Sequence, residues 1–185
     1  MLRLILLSIL YLLCHSQEIK TLLSIAAEKN NAEEIQTLLT AGSDPNERSK
    51  EGESVLHLVC IWGGAKKAEL LLSAGADPNH RSGNNGKIKS SLDMTPLSWC
   101  SYAGYTDTIA EFIKDKRTEV NMIVKQEDGK CITALDIAIK IGEERGTSSQ
   151  DVLRKAGGVK YEELHLKVSA EEMLQLQPPS GCPEK

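Results

Sequence analysis

Apolar residues recur along this chain in paired bursts, three of the four pairs closed by a glycine. Leu23, Ala26 and Ala27 form the first burst, followed by Leu56, Val59 and Cys60, then Leu97, Cys100 and Ser101, then Leu135, Ala138 and Ile139. Spacings of three and four residues put each set on one face of a helix. Most of the later positions are small, which lets neighbouring helices approach closely. Thr21, Ser54, Thr95 and Thr133 open the four stretches, and a hydroxyl there can accept a backbone N–H that has no partner inside the helix. Pro96 fits the first helical position, where its missing N–H costs nothing. A second apolar stretch follows in each case: Leu38-Leu39, Leu70–Leu72, Phe112-Ile113 and Val152-Leu153. Gly42, Gly75 and Gly157 then supply the left-handed backbone that stops a helix. Asp44-Pro45-Asn46 and Asp77-Pro78-Asn79 turn the chain outward. The pattern predicts four pairs of short helices joined by hairpin turns.

These pairs are copies of one another. Residues 21–46 and 54–79 align without a gap and share the ending AG-[SA]-DPN; residues 95–121 and the stretch from 133 onward repeat the theme. One such unit cannot bury its own apolar face, whereas a stack can. Thr95-Pro96-Leu97 and Leu56-His57 match a T-P-L-H-x-A-A opening, and Leu70–Leu72 with Gly75-Ala76-Asp77 match an L-L-L-x-x-G-A-D-x-N close. On these residues the chain resembles the ankyrin-repeat family over about residues 19–158. The resemblance implies an all-α solenoid of stacked helix-turn-helix units with hairpin loops, divided at about 19–52, 53–92, 93–131 and 132–158. It also implies a protein that binds another protein and is not an enzyme.

The departures from a uniform array are informative. The openings at Thr21, Ser54, Thr95 and Thr133 lie 33, 41 and 38 residues apart. The first excess falls in Arg81–Met94, a Gly/Asn/Ser-rich finger, and most of the second near Lys125–Ile132. Arg117 stands where the third closing glycine is expected, which leaves that turn's geometry open. The fourth repeat has a longer loop between its helices, Glu143–Ser149. Residues 159–185 form a tail in which Ser169-Ala170-Glu171-Glu172 reads as a capping box opening a short helix. The Pro-rich end, Pro178–Pro183, reads as disordered.

The N-terminus is a separate object. Leu4–Leu13 is an almost unbroken apolar run after Arg3. As a helix it would reach only about 15 Å, half a bilayer core, so it is too short to span. One positive charge, a short apolar run and a small residue at the end compose a secretory signal, with residues 1–16 removed and a periplasmic or secreted destination. An apolar N-terminal helix packed on the repeats is the alternative; a lipid on Cys14 is disfavoured by the bulky Leu13 before it. The remaining cysteines are Cys60, Cys100, Cys131 and Cys182. An even count in an exported chain invites a disulfide reading. Cys60 and Cys100, however, sit at small-residue helix positions, where thiols usually serve as small hydrophobes. On balance no native disulfide is expected; Cys131–Cys182 is the least implausible pair, since both lie in loop or tail.

Composition narrows the function classes. A net charge of −4 and a pI near 5.6 provide no basic face to neutralise phosphates, so nucleic acid is not an expected partner. There is no Gly-rich phosphate loop, HExxH or CxxC pair, and no cofactor, metal or catalytic group is expected. His57 and Cys60 have H-x-x-C spacing, but the resemblance gives His57 a structural hydrogen-bonding role, and Asp136 holds the same position in the fourth repeat. His80 has no second ligand in sequence reach.

In the family, the fifth and eighth positions of each opening helix face a concave groove together with the hairpin fingers. Here those positions carry Leu58 and Ile61, with Trp62 adjacent, and Trp99 and Tyr102, with Tyr105 just beyond the helix. Tryptophan and tyrosine supply large contact area with few rotors and dominate interface energetics. The finger with Arg81, Lys87 and Lys89 is a second candidate surface, suited to an acidic partner. The expectation is therefore an exported, monomeric binding module with no membrane span. An inhibitor or immunity-type protein that plugs an enzyme's active site is a narrower alternative; a metal protein or enzyme using His57, Cys60, His80 and Asp136 is the rival from another class.

Overall fold

The computed structural model describes residues 21–29, 31–50, 52–83, 93–126, 129–146, 148–167 and 182. Four helix pairs stack in sequence order: α1 (Leu22–Glu28) with α2 (Ala32–Thr40), α3 (Val55–Trp62) with α4 (Ala65–Ser73), α5 (Pro96–Ala103) with α6 (Thr106–Lys114), and α7 (Ala134–Arg145) with α8 (Ser149–Lys155). The inner helices α1, α3, α5 and α7 pack in one row and the outer helices α2, α4, α6 and α8 in another. A two-residue antiparallel ladder, β1 (Val124–Lys125) with β2 (Cys131–Ile132), stands before the fourth pair, and α9 (Tyr161–Lys167) follows it.

The caps are those the sequence specifies. The hydroxyls of Thr21, Thr95 and Thr133 accept the backbone N–H three residues on, at 3.1, 3.2 and 3.4 Å, and Pro96 occupies the first turn of α5. Gly42 and Gly75, each at φ 93°, and Gly157, at φ 84°, end their outer helices in the conformation that a side chain would strain. The third repeat solves the same problem differently. The Asp115 carboxylate accepts the Arg117 backbone N–H at 2.9 Å and also pairs with its guanidinium. That guanidinium in turn donates to the Leu72 carbonyl at 2.8 Å, at the C-terminal end of the preceding outer helix. An ion pair and a capping contact replace the glycine.

Stacking is specified by one repeated contact. Asn46 donates to the Gly75 carbonyl and accepts from the Asp77 N–H, at 3.3 and 2.8 Å. Asn79 does the same with Arg117 and Glu119, at 2.7 and 2.8 Å. Asn121 does the same with Gly157 and Val159, at 3.1 and 2.8 Å. Each asparagine satisfies a donor and an acceptor in the turn of the next repeat, so a turn made of polar backbone becomes an interface.

The main core runs between the two rows, through Leu23, Leu56, Leu97 and Leu135 of the inner helices and Ile35, Leu71, Ile109 and Leu153 of the outer ones. Within it the thiol reading of Cys60 and Cys100 is corrected: they form a disulfide, with Cα atoms 4.4 Å apart. The two residues hold positions one apart in the repeat register, Cys60 matching Ser101 and Cys100 matching Val59. The same small residues that let the inner helices approach bring the two sulfurs together.

Cys131 and Cys182 form a second disulfide. The tail therefore returns to the stack at Cys182, which is buried with Ile123, Val159 and Leu164, rather than hanging loose at that point. The capping box at Ser169 lies outside the described residues; the helix seen, α9, starts earlier, at Tyr161. The loop expected over Glu143–Ser149 is shorter than expected, because α7 continues to Arg145 and stops on Gly146 at φ 69°.

Candidate functional site

The inner helices present one edge to solvent at their C-terminal ends, where each turns into its outer partner. Trp62 closes α3 and Tyr105 precedes α6; at 42% and 39% exposure they are large apolar side chains left in water. Among the described residues, Leu22 at the start of α1 is the other large hydrophobic side chain left exposed. The Tyr105 ring lies on the backbone of Gly63, the residue after Trp62: a β-carbon at Gly63 would sit 3.0 Å from the ring. Gly63 also has φ 75°, so glycine is required there on both counts. Ile61 and Tyr102, at equivalent positions of α3 and α5, are half-buried. A shallow hollow lined by Gly64, Gly104, Tyr105 and Thr108 continues the edge. Its floor is fixed by the Thr108 hydroxyl, which accepts the Gly64 N–H at 3.2 Å.

The other expected groove residues sit deeper. Leu58 is 6% exposed and belongs to the core, so the expectation that it faces a partner is corrected. Trp99 is half-buried and stacks edge-on against Tyr102 with ring centroids 6.2 Å apart. Both pack on a second apolar cluster of Met94, Val124, Ile137 and Ile141. Met94 and Ile132, at the ends of the two insertions, thus lie against the aromatic residues, which spacing alone did not reveal.

The base of the long finger is pinned. The Ser82 N–H donates to the Met94 carbonyl at 2.7 Å, and the Met94 N–H to the Ser82 hydroxyl at 3.3 Å. Arg81 donates to the Ile123 carbonyl at 2.6 Å and pairs with Asp93 at 3.4 Å. Its guanidinium is committed to closing the finger, which corrects its assignment to an acidic partner. Lys87 and Lys89 lie outside the described residues.

The polar groups singled out for possible chemistry are structural. His57 is fully buried; its Nδ1 accepts the Ser54 N–H at 3.0 Å and its Nε2 donates to the Met94 carbonyl at 3.1 Å. Burial, then the nearby His80 and Arg48 charges, push its pKa down to about 3 despite the Met94 bond. It is a neutral strut between the second repeat and the finger base. His80 packs edge-on to it and donates to the Gly52 carbonyl at 3.0 Å. Asp136 completes the capping box of α7 and accepts the Tyr161 N–H at 2.9 Å, tying α9 to the array. Lys67, missed at the sequence level, is buried at 1% exposure and donates to the Ala27 carbonyl at the end of α1. Burial lowers its pKa to about 8. A lysine one position off the apolar stripe gave no signal of that. Among the described residues no group of three or more His, Cys, Asp or Glu is arranged to hold a metal ion, and no helix is long and apolar enough to cross a membrane.

Comparison with known proteins agrees with this geometry. The family described as ankyrin repeats (3 copies) matches residues 5–82, a stretch that begins within the N-terminal apolar run and ends at the finger base. No curated protein matches the chain in a sequence search. Beyond residue 82 the stack continues with the same caps, the same asparagine contacts and the same two rows of helices. Ankyrin repeats are in general protein–protein interaction modules and typically not catalytic. Residues 5–82 are thus similar to ankyrin repeats, and the described array is built of stacked helix pairs with hairpin turns.

Proposed function

We propose that this protein is an exported binding module whose protein partner docks on the edge formed by Ile61, Trp62, Tyr102 and Tyr105. The observation that carries the reading is the pair of exposed aromatic side chains in the two middle repeats, Trp62 and Tyr105, the latter's ring lying against Gly63, the residue after Trp62. Exposed apolar patches on a stable scaffold usually mark partner sites, and aromatic anchors lose little entropy on docking. Export is supported by the signal-like N-terminus together with two disulfides, since such bonds persist in oxidising compartments and are rare in the cytosol.

The test is affinity. Once a partner is identified from the native compartment, Trp62→Ala and Tyr105→Ala should each weaken its binding by about 1–2 kcal/mol or more, tenfold or so in Kd. Unchanged affinity, with helical content intact, would place the interface elsewhere. The narrower reading, an inhibitor that plugs an enzyme, draws on the pinned base of the long finger: a loop with fixed ends is presented at lower entropic cost. It requires that adding the protein abolish the partner enzyme's activity.

A further inference from the structure

We infer that the Cys131–Cys182 bridge is a site of thiol–disulfide exchange with a small monothiol, one that opens while the Cys60–Cys100 bridge stays closed. The two bridges have opposite surroundings. Cys60 and Cys100 are both 0% exposed, enclosed between α3 and α5 in the main core. An attacking thiolate reaches them only after those helices separate. Cys131 is half-buried at the start of β2, just after the exposed hairpin residues Gly129 and Lys130, and its partner Cys182 is 8% exposed. Lys125 stands opposite Cys131 in the ladder and Lys130 precedes it.

The chemistry closes without another oxidant or reductant. The thiolate of a monothiol such as glutathione attacks the Cys131 Sγ; the bond to Cys182 breaks, and Cys182 leaves as a thiolate that takes a proton from water. A second thiolate attacks the mixed disulfide on Cys131, releasing the Cys131 thiolate, protonated in turn, and the oxidised dimer of the monothiol. Two electrons pass from two monothiols to the bridge.

The structural consequence is local. Cys182 is buried on Ile123, Val159 and Leu164, and Cys131 packs against the same cluster. The next residue of the hairpin, Ile132, packs on the neighbouring cluster with Trp99 and Tyr102. Opening the bridge unties the chain end from a hairpin whose other side supports the aromatic residues. The exchange itself does not depend on the binding role proposed for that surface.

The experiment uses the full folded chain, graded glutathione, rapid alkylation and peptide mass mapping. Cys131 is expected to carry glutathione or the alkylating group, and Cys182 the alkylating group, at about tenfold less glutathione than Cys60 and Cys100 require. In a Cys131→Ser, Cys182→Ser double variant the Cys60–Cys100 bridge should resist the same low range. Opening of both bridges together, opening of the buried one first, alkylation of all four cysteines without glutathione, or opening only on unfolding would each overturn the proposal.

Discussion

His57 shows how much one buried side chain decides. Its folded-state pKa, about 3, lies below the value near 6.5 of an unfolded chain, so protonation favours unfolding. The stability it contributes is full above pH 6.5 and is lost as pH falls toward 3, at up to about 1.4 kcal/mol per pH unit. His57→Gln keeps a side chain able to complete the capping box but does not titrate. Denaturant unfolding at pH 7, 5 and 4 should therefore show a shallower decline in the variant than in the wild type; equal slopes would mean that His57 is not the group responsible. Lys67 poses a complementary case. Its amine reaches the Ala27 carbonyl across the first repeat boundary, and Lys67→Met leaves that acceptor unpaired in a buried site. A loss of about 1–3 kcal/mol is expected, read from the denaturation midpoint.

At the scale of elements, the hydroxyl caps, Pro96 and the closing glycines were legible because each answers a local need that residue type alone expresses. The closing turn of the third repeat was not: Arg117 reads as a missing glycine until Asp115 and the Leu72 carbonyl are placed around it. The Cys60–Cys100 bridge was illegible for a related reason. Small residues on facing helices report that two helices approach, but not that cysteines one register position apart come within bonding distance. Replacing both cysteines with alanine should cost about 2–4 kcal/mol, the loss of a cross-link closing a loop of 40 residues. A shift within the error of thermal or denaturant unfolding would argue that the bridge does not form. Gly63→Ala should also destabilise, by about 1–3 kcal/mol, through its positive φ and the Tyr105 ring above it. Restoration of stability by adding Tyr105→Ala would show how much of that loss is the ring.

For the whole molecule, the repeat period made the stack and its order readable from sequence, and the asparagine contacts account for its regularity. The site was legible only in part. Trp62 and Tyr105 are exposed and Ile61 and Tyr102 half-buried, while Leu58 lies in the main core and Arg81 is held at the finger base, contacts the repeat pattern does not encode. The ankyrin-like architecture speaks to the manner of recognition more than to its object. The most direct measurement of that recognition is amide hydrogen exchange on the full chain, free and saturated with its purified partner. Protection is expected at Ile61–Gly64 and Tyr102–Thr108, with the outward faces of α2, α4, α6 and α8 unchanged. Protection confined to those outer helices, with none at the aromatic edge, would contradict the proposed binding surface.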